Sequence, residues 1–172
     1  MKNISILIAL LAFNQGLYAE EHPFRPESKL KNADVTTWGI GAGFTQQLLH
    51  ANLEWVNPYG IAYAKVGAFL NDDNEVGGQV GFRYPYYLTG TDKNGYYVGV
   101  FAGHVDSKNY GGKKQANLGI GADLAYVWLN RERISTLAVG AGVREALDDE
   151  NGDTIKKAQP IIQISYSLSF GL

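Results

Sequence analysis

From Thr36 to the C-terminus one pattern repeats: large apolar residues at every second position, interrupted by short clusters of Gly, Asn, Asp, Pro and Lys. A period of two marks a strand, because successive side chains point to opposite faces. The terminal run "QISYSLSFGL" is the clearest case. Ile164, Tyr166, Leu168, Phe170 and Leu172 alternate there with Gln163, Ser165, Ser167, Ser169 and Gly171. Seven further runs precede it: "TTWGIGAGFT", "QLLHANLEWV", "IAYAKVGAFL", "VGGQVGFRYPYYL", "YYVGVFAGHV", "ANLGIGADLAYVWL" and "ISTLAVGAGVREAL". Each is about as long as the ~9–11 residues a tilted strand needs to cross a bilayer. The breaks between them are short, so neighbours should pair antiparallel. Only the break at Gln46 and Gln47 is weakly marked. The pattern predicts an all-β fold over residues 36–172: a closed, antiparallel, up-and-down transmembrane β-barrel of eight strands.

Upstream, residues 20–35 are polar and carry Pro23 and Pro26 without periodicity, which predicts an extended periplasmic lead-in. Residues 1–19 have the layout of a secretory signal peptide: Lys2, an apolar stretch from Ile4 to Phe13, and Ala19 at the expected cleavage point. That stretch is shorter than the ~20 residues of a spanning helix.

Alternation alone admits two opposite objects. A lipocalin-like barrel turns its apolar face inward to a ligand, and a membrane barrel turns it outward to lipid. The residues between the apolar ones favour the second. In the sixth strand Leu118, Ile120, Ala122, Leu124, Tyr126 and Trp128 oppose Asn117, Gly119, Gly121, Asp123, Ala125 and Val127. Small residues suit the cramped inside of a small barrel. Single charges fall mid-strand on these small-residue faces: Glu54, Lys65, Arg83, Asp123 and Arg144. A cation facing lipid there would cost ~2–4 kcal/mol. They are therefore expected inside, as a mutually neutralising network.

Aromatics collect at one edge, where odd strands begin and even strands end. Trp38, Trp55, Tyr59, Tyr84, Tyr86, Tyr97, Tyr126, Trp128 and Phe170 form the expected girdle of a membrane–water interface. The two longest connections, "DSKNYGGKK" and "DDENGDTIKK", lie at the opposite edge, as extracellular loops should. The aromatic edge is then the periplasmic one. In the fifth strand the facing stays open: Val98, Val100 and Ala102 compete with Tyr97, Phe101 and Val105 for the outside.

With 21 Gly, 11 Tyr and 7 Phe, composition agrees with strands and turns. A formal net charge of -2 provides no basic footprint for nucleic acid. The chain has no Cys, which excludes disulfides, thiolate metal sites and a cysteine nucleophile.

The signal layout, the eight alternating runs and the ending "ISYSLSFGL" resemble the small outer-membrane barrels of the OmpA/OmpX-like kind. The stretches "GFRYPYYL", "GYYVGVFAG" and "ANLGIGADLAYVWLNRERISTLAVGAG" look like the strand–turn–strand pattern of that group. The resemblance implies export to the bacterial outer membrane and insertion by the barrel-assembly machinery. It also implies contact with outer-membrane lipid and lipopolysaccharide, a monomer, and no cofactor. Such proteins usually end in an aromatic residue; here Phe170 is third from the end and Leu172 is last.

Candidate chemistry is sparse. A lipid A-modifying barrel would need a His, a Ser and an orienting acid near the membrane edge. Of His22, His50 and His104, only His104 has such neighbours, Asp106 and Ser107, and the Ser lacks matching spacing. "GIGAG" and "GIGAD" are followed by no helix, so they are small-residue barrel faces rather than dinucleotide loops. "DDENGD" fails the spacing of an EF-hand loop. The expected function is therefore that of a non-enzymatic outer-membrane barrel, with a structural, surface-interaction or limited small-solute passage role. A secreted lipocalin-like ligand binder is the alternative, and a lipid A-modifying enzyme the third.

Overall fold

The computed structural model describes residues 26–70, 75–90, 93–110, 113–148, 154–156 and 158–172. The expected signal peptide, residues 1–19, and most of "DDENGD" lie outside them. The strands are β1 (Trp38–Thr45), β2 (Leu48–Asn57), β3 (Gly60–Phe69), β4 (Val76–Leu88), β5 (Gly95–Tyr110), β6 (Lys113–Leu129), β7 (Arg133–Arg144), β8 (Leu147–Asp148), β9 (Thr154–Lys156) and β10 (Gln159–Gly171). Eight of them form a closed barrel in the order β1-β10-β7-β6-β5-β4-β3-β2, every pair antiparallel. Among the described residues no helix is long and apolar enough to cross a membrane, which says nothing of a barrel.

The expected all-β, eight-stranded, closed antiparallel barrel is what the chain forms. The elements differ from expectation at the end away from the lead-in. There β5 and β6 rise above their neighbours as a two-stranded ribbon, pairing from Ser107↔Ala116 to Tyr110↔Lys113. β7 stops at Arg144, and of the residues expected to continue it only Leu147 re-enters a strand, the short β8 that pairs with β9. β10 begins at Gln159, just after the connection "DDENGDTIKK", as expected.

The register fixes the barrel's shape. One row of paired residues runs Ser169, Gly41, Asn52, Lys65, Gln79, Gly103, Gly119, Arg144 and back to β10 at Gln159. Once round the barrel, the row has climbed from residue 169 to residue 159. Such a stagger over eight strands, at ~3.3 Å per residue and ~4.8 Å between strands, implies a tilt of about 40°.

Two faces result. Outside stand Ile40, Phe44, Leu49, Leu53, Val66, Val80, Val100, Ile120, Leu124, Leu137, Val139, Ile162 and Ile164, all exposed. Inside, Glu54, Lys65, Arg83, Arg144, Gln163, Ser165, Ser167 and Ser169 are buried. The open question of the fifth strand resolves the same way. Val98 and Val100 are exposed, whereas Tyr97, Phe101 and Val105 are buried. A bulge next to Gly103 (φ 137°), between His104 and Asp106, adds a residue to β5 there.

Candidate functional site: the barrel interior and its two ends

The interior is built in layers. Nearest the lead-in is an apolar layer of Val56, Ile61, Tyr97, Val127, Leu129 and Ile134, with Ala125 and Ala138 above. Leu30, from the lead-in itself, is part of this cluster and only 5% exposed. The described part of the expected lead-in, residues 26–35, is a tied-down segment with turns. Leu30 N–H donates to Pro58 O (3.0 Å), and Thr36 N–H to Asn130 O (3.1 Å). Ala33 and Val35 pack on the same cluster, so this end of the lumen is stoppered by apolar side chains.

Above it lies a polar layer. Arg83 on β4 and Asp123 on β6 form a two-pronged pair, Nη2–Oδ2 2.8 Å and Nε–Oδ1 3.4 Å. The guanidinium also lies over the Tyr63 ring, 4.3 Å from its centroid. Glu54 accepts hydrogen bonds from Ser169 Oγ and, at 3.3 Å, from Asn52 Nδ2. Lys65 Nζ donates to Thr45 Oγ1 (3.2 Å) and sits 4.9 Å from the Tyr63 ring centroid. His50 Nε2 meets the same Thr45 hydroxyl at 2.9 Å. Higher still, Gln79 Nε2 donates to Gln163 Oε1 (3.3 Å). At the far end Arg144 Nη1 pairs with Asp106 Oδ2 (2.7 Å) and its Nη2 reaches Gln159 Oε1.

The structure places Glu54, Lys65, Arg83, Asp123 and Arg144 all toward the lumen, with the first four within electrostatic reach of one another and Arg144 at the far end. Arg83 and Asp123 pair with each other, and Tyr63 gathers the two cations Arg83 and Lys65. Arg144 is held apart by Asp106, which sequence reasoning had set beside His104. Two residues apart in a regular strand, His104 and Asp106 would share a face. The bulge puts His104 opposite outward-facing Leu118 and Asp106 opposite inward-facing Asn117. His104 Nδ1 is engaged with the Gly78 backbone (3.1 Å from its N).

At the lead-in edge Trp38 and Trp55 stack with centroids 5.9 Å apart. Tyr126 packs edge-on against Tyr96 (5.1 Å) and Trp128 (4.7 Å). Tyr59, Tyr86 and Phe170 are exposed, and Tyr84 is half-buried under Lys29, whose Nζ is 5.3 Å from its ring centroid. Tyr97 departs from the expected girdle. Paired with Ala125 on the inward face, it is fully buried in the apolar stopper, and its hydroxyl donates to Lys93 O (2.8 Å).

These features define a class: a small closed β-barrel with a filled, layered lumen and an apolar exterior. Among the described residues no group of His, Cys, Asp and Glu is placed to hold a metal ion. Compared with protein-family models, curated proteins and solved structures, the chain matches none.

Proposed function

We propose that the chain is an integral barrel of a bacterial outer membrane, exported by its signal peptide and inserted by the barrel-assembly machinery. In this reading it is monomeric, non-enzymatic and OmpA/OmpX-like. The observation that carries this reading is the inversion of the two faces. Large apolar side chains cover the outside of the barrel, while the mid-strand charges Glu54, Lys65, Arg83 and Arg144 and the β10 serines Ser165, Ser167 and Ser169 are turned in. Soluble monomers rarely expose contiguous apolar patches beyond a few hundred Å². Hydrocarbon around the barrel removes that cost, and closure leaves no strand edge along most of the wall.

Of the roles open to such a barrel, the layered interior supports envelope structure and surface interaction over solute passage. The apolar stopper around Leu30 obstructs the lead-in end. The β5-β6 ribbon and the β8-β9 sheet at the other end are the parts that would meet lipopolysaccharide or external molecules.

Membrane extraction followed by gel migration with and without heating tests the reading. The expected result is recovery only with detergent and a heat-dependent shift in mobility; recovery in the soluble periplasm without detergent overturns it. In planar bilayers the folded protein is expected to give no steady conductance.

A further inference from the structure

The lead-in crosses the rim of the barrel between Lys29 and Leu30. Leu30 is in the apolar stopper of the lumen. Lys29 lies on the other side, against the outer wall. Its Nζ donates to Tyr86 O (2.9 Å) and sits 5.3 Å from the Tyr84 ring centroid. Glu27 N–H donates to the Tyr84 hydroxyl (3.2 Å). Tyr84 and Tyr86 alternate along β4 with the buried Arg83 and Pro85, and Tyr84 is in register with exposed Val98. Both tyrosines therefore belong to the outward face, and residues 27–29 are fastened over it.

A cleft of about 540 Å³ opens here between residues 26–31 and Tyr59 of the β2-β3 turn. Its charged groups are Glu27, Lys29 and Lys31, joined by the hydroxyls of Ser28 and Tyr59. Elsewhere on this rim Arg131 is paired with Asp34. Among the described residues neither Glu27 nor Lys31 forms an ion pair, and Lys29 has only the Tyr86 carbonyl and the Tyr84 ring. The contacts on Lys29 fix its ammonium and leave two of its three N–H donors unused.

Depth and charge together narrow what can answer these groups. Tyr59 and Tyr86 are exposed beside the cleft, and such aromatic rings sit at the level of lipid headgroups. Two ammonium groups suit a phosphate, and the carboxylate suits a cation that can donate N–H. A phosphate next to a primary ammonium complements all three. A glycerol head leaves Glu27 without a partner, and a quaternary ammonium has no N–H to donate to it.

We propose that this cleft binds the head of a phosphatidylethanolamine-type phospholipid, its phosphate against Lys29 and Lys31 and its primary ammonium against Glu27. The proposal rests on the membrane reading above.

Competitive retention provides the test. Protein in detergent is equilibrated with equal amounts of dioleoyl phosphatidylethanolamine, phosphatidylglycerol and phosphatidylcholine. It is then repurified and its bound phospholipids are quantified. Identical acyl chains leave the head as the only difference. Phosphatidylethanolamine is expected to be enriched about threefold over each of the others, the scale of one exposed ion pair. Glu27→Gln should remove that enrichment, and Lys31→Gln should lower the amount retained. Arg133→Gln, on the same rim but outside the cleft, should change neither. Every variant is first checked for heat-modifiable migration. Equal retention of the three lipids overturns the proposal, as does a preference for phosphatidylglycerol. So does an enrichment that survives Glu27→Gln. A protein that stays soluble without detergent and retains no phospholipid overturns the membrane reading itself.

Discussion

Arg83 and Asp123 pair across a strand that belongs to neither of them. Arg83 on β4 is in register with Gly99 on β5, and Gly99 with Asp123 on β6. The two side chains meet over the glycine, Nη2–Oδ2 2.8 Å, with side-chain exposures of 2% and 6%. This explains why glycines surround charges in the strand patterns: a side chain between the two partners would hold them apart.

Removing one partner leaves a buried charge uncompensated, which typically costs ~3–5 kcal/mol. Arg83→Met is therefore expected to lower the thermal unfolding temperature in detergent markedly. Adding Asp123→Leu should recover most of the loss. If the double variant melts no higher than Arg83→Met, the pair is not the source of the cost.

Gly99→Ala probes the same contact from below. Its Cβ would lie 2.2 Å from Asp123 Oδ1 and 2.8 Å from Arg83 Cγ, with Phe82 O at 3.1 Å. Side-chain ends can yield, but a bidentate pair yields by losing its geometry. A destabilisation of ~1–3 kcal/mol is expected, measured by the same melting experiment.

Leu124→Arg separates membrane from water as the outer solvent. Leu124 is 52% exposed on the outward face of β6. In hydrocarbon the change costs ~2–4 kcal/mol near the midplane, whereas on a soluble barrel it stays within about 0.5 kcal/mol. Unfolding titrations in lipid vesicles are expected to show the larger figure.

Leu30→Ala tests the stopper. Burying a leucine and then truncating it costs ~2–5 kcal/mol. Here the loss falls on docking of the lead-in, because Leu30 lies outside the barrel strands. Amide exchange across residues 30–36 is expected to rise with little change in barrel melting. Unchanged exchange would show that the hydrogen bonds to Pro58 and Asn130 suffice to hold the segment.

Much of this architecture was legible in the chain. Period-two alternation identified all eight barrel strands, and the opposition of Ile, Leu and Trp to Gly and Ser separated their two faces. Side-chain direction follows from the pleat alone, so Glu54, Lys65, Arg83, Asp123 and Arg144 could be assigned to one side without coordinates. Where the pleat is interrupted, the reading failed: the bulge after Gly103 split His104 from Asp106. Tyr97 was misassigned because an edge aromatic reads the same from either face, and only its pairing with Ala125 places it inside.

The sequence by itself determined strand, face and the small-residue lining, all of which depend on local geometry repeating every two residues. Tertiary structure alone decided who meets whom. The stagger that returns a row from Ser169 to Gln159 is a property of the closed ring, and no single strand encodes it. That stagger brings Arg83 to Asp123 over Gly99 and Arg144 to Asp106, and leaves β10 rising past the end of β1. It follows from the requirement that every backbone hydrogen bond around the ring be satisfied together, a non-local condition.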